Sequence, residues 1–201
     1  MKKQFLLLIG AVFAAVNTLQ AGISQQTLDN LNTAFQGESN AANRYTIFAQ
    51  AADKAGEGYV AHLFRAAAKA ETIHRDTHKR TILELGGKIN NFKLDDVKPG
   101  TTAENLQGAI KGESYERDTM YPEFLAQAKK DGAKAAIRTF VYAQKAELEH
   151  AKLYQSALDN LGKNIDTTFY VCSVCGYTTT QKPAKYCVSC RESADVYEIV
   201  K

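Results

Sequence analysis

Two Glu-x-x-His pairs, Glu71 with His74 and Glu147 with His150, lie inside long runs whose apolar residues recur every three or four positions. Residues three apart share one face of a helix, so each pair aims a carboxylate and an imidazole where the apolar residues point. Three further glutamates, Glu38, Glu113 and Glu116, fall on equivalent stripes. A glutamate on an inward face costs several kcal/mol in desolvation unless something compensates it. Any one of them alone reads as a boundary residue reaching for water. Five, in rhythm with two histidines, read as one site. Their summed charge of about −5 exceeds what side chains on these stripes offset, and a pair of di- or trivalent cations offsets it. Oxygen-rich ligands with only two imidazoles favour iron or manganese over a soft metal.

The stripes define four long helices. The first runs from about Ser24 to Ala55 with Leu28, Leu31, Phe35, Glu38, Ala42, Tyr45 and Ala49 on one face, and AGEG at 55–58 breaks it. The second, about 59 to 85, carries Val60, Phe64, Ala67, Glu71, His74, His78, Ile82 and Leu85 and stops at Gly86-Gly87. Thr101 with Glu104 three later is a capping box that starts the third, whose face is Leu106, Ile110, Glu113, Glu116, Met120 and Phe124. Pro122 predicts a kink there, because it cannot donate the internal hydrogen bond. Asp131-Gly132 separates the fourth helix, about 133 to 160, with Phe140, Ala143, Glu147, His150, Tyr154 and Ala157. Segment 88–100 lacks a long period and reads as a crossover. The halves repeat: Glu38 precedes Glu71 by 33 residues and Glu113 precedes Glu147 by 34. Two hairpins each offering Glu and then Glu-x-x-His predict an all-α, ferritin-like four-helix bundle around a dinuclear carboxylate site.

The tail differs. Cys172, Cys175, Cys187 and Cys190, all the cysteines of the chain, form two CxxC knuckles among β-branched and aromatic residues. Each short loop aims two sulfurs at one ion, so the spacing predicts a tetrathiolate site in a small β unit folded around its metal. Iron and zinc both suit four thiolates. At the other end, Lys2 and Lys3, the run FLLLIGAVFAAV and a polar exit ending at Ala21 read as an export signal, with an uncleaved anchor as the alternative. The organisation expected is a leader over 1–21, a bundle over 22–165 and the cysteine unit over 166–201. Two of the net +3 charges belong to Lys2 and Lys3, which leaves +1 and no electrostatic case for nucleic acid or an anionic membrane surface. The apolar run of 12 residues is also short for a bilayer span. No GxGxxG or GxxxxGK[ST] nucleotide-binding motif is present. His62 reads as a surface residue. His78, one turn beyond His74, is open between support of the site and a structural or solvated role. Tyr45, two turns after Glu38, is open between orienting a carboxylate and plain core packing, and Tyr121 is undecided by spacing.

Beyond the leader the chain resembles the rubrerythrins almost end to end. The resemblance rests on ESNAANRY at 38–45, ETIH at 71–74, GESYERDTMYPEF at 112–124, ELEH at 147–150, CSVCGY at 172–177 and CVSC at 187–190. It implies a non-haem di-iron site in the bundle and a rubredoxin-like tail with one iron in four thiolates. By position, Glu38, Glu71, Glu113 and Glu147 resemble the persistent or bridging carboxylates, and His150 the fixed imidazole. His74 and Glu116 resemble alternative ligands between which one iron moves on reduction and oxidation. Tyr45 and Tyr121 match tyrosines that hydrogen-bond near the site. The implied activity is reduction of hydrogen peroxide in oxidative-stress protection, with electrons from an external donor protein, in a homodimer or homotetramer whose head-to-tail pairing sets one tail beside the other subunit's site. The competing readings are a ferroxidase or iron-storage protein and a non-enzymatic zinc-ribbon scaffold. Two features depart from the family pattern: Val188 stands where the second knuckle usually has proline, and the export signal implies a periplasmic protein where a cytoplasmic one is usual.

Overall fold

The computed structural model describes residues 23–163 and 165–201, so the leader reading lies outside the described residues. Helix α1 spans Gln25–Lys54 and is capped by Ser24, whose hydroxyl accepts from the Thr27 amide. After Gly56, which turns the chain at φ +77°, α2 spans Gly58–Glu84. The crossover lies along α1: Asn32 donates to the Lys88 carbonyl and accepts from the Asn90 amide, Asn40 accepts from Asp95, and Phe35 meets Phe92 edge-on. Helix α3, Thr102–Tyr115, starts at the Thr101/Glu104 capping box read from the sequence. Helices α4, Tyr121–Lys130, and α5, Lys134–Asp159, complete the bundle.

Between α3 and α4 the expected kink takes another form. Glu116–Met120 is a π-helical turn, in which the Tyr121 amide donates to the Glu116 carbonyl five residues back. Pro122 follows within the first turn of α4. An α-helical course here would press the proline ring on the Asp118 carbonyl, and the wider turn absorbs the misfit. The Arg117 carbonyl is met instead by the Gln144 side chain of α5 at 2.9 Å. The extra residue also rotates the buried face: Leu106, Ala109 and Glu113 before it, Met120, Tyr121, Phe124 and Leu125 after it. Tyr121 is thereby fully buried, and Glu116 is left half-buried.

Two apolar clusters fill the bundle. One holds Tyr45, Phe48, Leu63, Phe64, Leu106 and Tyr154, and the other Leu31, Ile82, Tyr121, Phe124 and Phe140. The buried glutamates and histidines belong to neither. Strands β1 (Phe169–Cys172), β2 (Thr178–Thr179) and β3 (Tyr197–Val200) form an antiparallel sheet in the order β2-β1-β3. Phe169 and Val171 are fully buried in the first bundle cluster, where Phe169 stacks on Tyr59 at 5.7 Å. Next along β1, Cys172 packs with Cys175, Cys187 and Tyr197 in a cluster of its own. The sheet is thus seated on the helices by its own strand residues, in addition to whatever its cysteines bind. Among the described residues no helix is long and apolar enough to cross a membrane.

Candidate metal centre

Helices α1, α2, α3 and α5 each deliver an acid to the gap between the apolar clusters, and the two Glu-x-x-His helices, α2 and α5, deliver an imidazole as well. Glu38, Glu71, His74 and Glu147 form one group of possible ligand atoms mutually within 4.8 Å, and Glu71, Glu113, Glu147 and His150 form a second. Glu71 and Glu147 belong to both groups. His74 Nδ1 lies 2.8 Å from Glu71 Oε2 and 3.3 Å from Glu147 Oε1, while His150 Nδ1 lies 3.0 Å from Glu147 Oε2 and 3.1 Å from Glu71 Oε1. None of these side chains is more than 2% exposed.

The far sides of both imidazoles are held by the tail. His74 Nε2 donates to the Cys175 carbonyl at 3.0 Å. A carbonyl only accepts, so Nε2 carries a hydrogen and Nδ1 is the nitrogen turned to the acids. His150 Nε2 lies 3.0 Å from Thr178 Oγ1, and that hydroxyl donates to the Gly176 carbonyl at 3.1 Å, which leaves it to accept from the ring. With Nε2 engaged by the tail, each histidine keeps Nδ1 toward the acids as the nitrogen that would ligate a metal ion once its proton is displaced. Gly176 makes the approach possible: it sits at φ +76°, and a Cβ there would collide with His74 Nε2 and stand 2.8 Å from Cδ2.

Metal ions fit this site. Glu38 Oε2, Glu71 Oε1, Glu113 Oε2, both carboxylate oxygens of Glu147 and His150 Nδ1 are buried without hydrogen-bond partners. Orphaned buried acceptors of this number cost the fold stability, and cations among them would offset that cost. Burial, then repulsion from Glu71 and other acids, holds the Glu38 carboxyl well above its ordinary range, and burial with Glu147 and Glu71 does the same to Glu113. Burial opposes ionisation of Glu147 too, but His74 and His150 outweigh it and hold that carboxyl below the usual range. Burial depresses the two histidines and the acids facing them more than reverse it.

Of the remaining sequence candidates, Glu116 is not brought into either group. Burial and then Glu113, Glu147 and Glu71 raise its pKa, so it stands near the acids without joining them. Tyr45 donates to Glu113 Oε1 at 2.6 Å, and Tyr121 donates to Glu38 Oε1. His78 is fully buried, with Nε2 3.1 Å from the Tyr121 hydroxyl and Nδ1 3.0 Å from Thr139 Oγ1, which removes the solvated alternative. His62 is half-exposed, away from the acids. Sequence reasoning missed Thr178, Gly176, Thr139 and the Cys175 carbonyl. Glycine directly after a CxxC knuckle was the one usable signal among them.

In the tail, Cys172, Cys175, Cys187 and Cys190 form a third group, all of them free thiols. Sγ–Sγ separations of 3.7 Å for Cys172 to Cys190 and Cys175 to Cys187 match the edge of a tetrahedron with metal–sulfur bonds of about 2.3 Å, which is about 3.8 Å, and exclude disulfides. Tyr197 donates to Cys187 Sγ at 3.1 Å. Cys190 alone is partly exposed.

The Rubrerythrin family model matches residues 29–158. Rubrerythrin-2 of Clostridium acetobutylicum is 37% identical over 177 residues, covering 86% of this chain and 95% of the relative. Nigerythrin of Nitratidesulfovibrio vulgaris is 32% identical over 171 residues, covering 85% of each. A solved structure of nigerythrin in its fully reduced, all-ferrous state superposes with a TM-score of 0.78 at 29% identity, covering 98% of this chain and all of that one. An open-pore ferritin of Archaeoglobus fulgidus, 15% identical with a TM-score of 0.63 over 70% of this chain and 87% of its own, shares the helical fold alone. With two acid-and-imidazole groups in a ferritin-like bundle and a four-cysteine cluster seated against them, the chain belongs to the rubrerythrin family.

Proposed function

We propose that the protein is a peroxidase that reduces hydrogen peroxide to water at a di-iron centre in the bundle. Glu38, Glu71, His74, Glu113, Glu147 and His150 would hold the two irons, with Glu116 near as an alternative ligand, and the four cysteines would hold a third. The reaction is H2O2 + 2 H⁺ + 2 e⁻ → 2 H2O. Ferrous ions held there would supply the two electrons, and an iron held by the four thiolates would supply one-electron redox chemistry to restore them. The observation that carries this reading is the hydrogen bond from His74 Nε2 to the Cys175 carbonyl. It joins a thiolate-bearing residue to an imidazole of the bundle site by one contact, a conduit that a storage protein or a zinc scaffold does not need. This contact lies within one chain.

The chain's own groups divide the remaining work. Tyr45 and Tyr121 steady Glu113 and Glu38 as the charge of the site changes. Burial excludes bulk water and keeps the acids close to the ions they meet. An external donor protein supplies electrons by way of Cys190, the partly exposed thiol.

The test is anaerobic reconstitution with iron, metal analysis and stopped-flow mixing with peroxide. The expected result is three irons per chain, a red ferric tetrathiolate spectrum, and oxidation of the reduced bundle site by one equivalent of peroxide. Zinc in the cysteine site of protein from its native compartment overturns the relay, and a reduced site inert to peroxide overturns the activity. We further propose export to the periplasm on the strength of residues 1–21. Amino-terminal sequencing of the native protein should begin near Gly22, and an intact Met1 on a cytoplasmic product refutes it.

A further inference from the structure

A buried line of hydrogen bonds leads away from the site on the side opposite Tyr45. From Glu38 it runs through the Tyr121 hydroxyl and the His78 imidazole to Thr139, crossing from α1 through α4 and α2 to α5. All four side chains are at most 2% exposed. Its polarity follows from its inner end. A carboxylate that ligates a cation only accepts, so Tyr121 must donate to Glu38. With its hydrogen committed there, the Tyr121 oxygen accepts from His78 Nε2–H. A neutral imidazole with its hydrogen on Nε2 has a bare Nδ1, which accepts from the Thr139 hydroxyl 3.0 Å away. Three donors in succession thus point at Glu38.

Helix neighbours of the two outermost members line a surface groove of about 310 Å³, although Thr139 and His78 themselves do not. Thr77 and Thr81, which flank His78 on α2, line it, as do Arg138 and Tyr142, which flank Thr139 on α5. Packing alone does not require an aligned polar chain here. His78 and Tyr121 sit among Phe124 and Phe140, where apolar side chains of like volume would fill the space without needing partners.

We propose that Thr139, His78 and Tyr121 form a proton relay that carries protons from this groove to Glu38. The proposal rests on the peroxide-reducing reading, which consumes two protons per turnover in a buried site. In one pass a water proton arrives at Thr139 as its O–H hydrogen moves to His78 Nδ1. The Nε2 hydrogen moves to the Tyr121 oxygen, and the former Tyr121 hydrogen moves to Glu38 Oε1. Glu38 gives it to the oxygen of peroxide whose O–O bond is being cleaved by the two electrons from the site. His78 stays neutral throughout. Hydroxyl rotation and return of the Nε2–H tautomer reset the line. Thr139 and His78 act through Tyr121 and Glu38 and are positioning residues.

The test has a structural arm and a kinetic arm. In full-length protein loaded with diamagnetic zinc, 15N NMR of His78 should show the neutral Nε2–H tautomer, and an Nδ1–H or cationic ring overturns the relay. In iron-loaded protein, Thr139→Val keeps the shape and removes the outermost hydroxyl. It should leave iron content and the optical spectrum unchanged, slow single-turnover oxidation by peroxide at least about 10-fold and enlarge the solvent deuterium isotope effect. Thr139→Ser should restore both. A Thr139→Val protein with the wild-type rate and isotope effect refutes the relay and leaves peroxide reduction standing. A wild-type protein that consumes no peroxide removes the functional reading, and the relay with it.

Discussion

Replacing Gly176 by alanine perturbs the point where tail and bundle meet. The residue holds φ +76°, where a side chain costs about 1–2 kcal/mol, so the backbone alone accounts for that much. The new Cβ would also collide with His74 Nε2, stand 2.8 Å from Cδ2 and lie 3.1 Å from the Ala70 carbonyl. His74 cannot swing away freely, because Nδ1 is held by Glu71 at 2.8 Å. Overpacking of this kind costs about 1–3 kcal/mol. The expected loss is about 2–5 kcal/mol, or about 4–20 °C in Tm for a chain of this size. Thermal melts of protein with a metal-free bundle read it directly. Repeating the substitution in a His74→Ala background should cut the loss to about 1–2 kcal/mol, because the imidazole is gone and only the strained φ and the Ala70 contact remain. An equal loss in both backgrounds, or a total below about 1 kcal/mol, refutes the claim that Gly176 is needed for the approach to His74.

Tyr45→Phe removes the 2.6 Å bond to Glu113 and should weaken metal binding at the bundle about 10- to 100-fold with little change in helix content, as read by competition with a chelator. With the bundle metal-free, stability should fall as pH rises. Glu38 and Glu113 have raised values in the fold, so their contribution is lost above the ordinary 4.5, and that of His74 and His150 is full below 6.5 and is lost as pH climbs through their raised values. Glu147, held low, works in the opposite sense and loses its contribution only on acidification below 4.5. Calorimetry from about pH 5 to pH 9 should therefore show a falling Tm that metal loading flattens, and a rising Tm contradicts this assignment. Cys175→Ser should abolish the tail chromophore and donor-driven turnover, while a chemically reduced bundle site still reacts with one equivalent of peroxide. Full donor-driven turnover in that variant excludes the tail as the conduit.

Helix periodicity is a local property, and the bundle was legible wherever it governed. The Thr101/Glu104 box starts α3, Gly86 ends α2, and Glu71, His74, Glu147 and His150 face inward because spacings of three and four fix a helical face. The four cysteines were legible for a similar reason, since two short knuckles leave little freedom in where their sulfurs point. Partners far apart in the chain were not legible. That Thr178 would meet His150, that the Cys175 carbonyl would meet His74, and that Thr139 would complete a line through His78 depend on how the sheet seats on α2 and α5. Local pattern carries no term for such contacts. The π-helical turn at Glu116–Met120 shows the same limit within one helix. Pro122 announces a disturbance, but the packed bundle and Gln144 on α5 decide that it becomes an extra residue in the turn, one that buries Tyr121 beside Glu38 and leaves Glu116 outside both ligand groups. The sequence determined which residues the site can draw on, because ligand chemistry and helical spacing are written locally. The tertiary structure decided which of them meet and what holds their far sides, because those contacts are made across separate elements whose relative placement is set by packing.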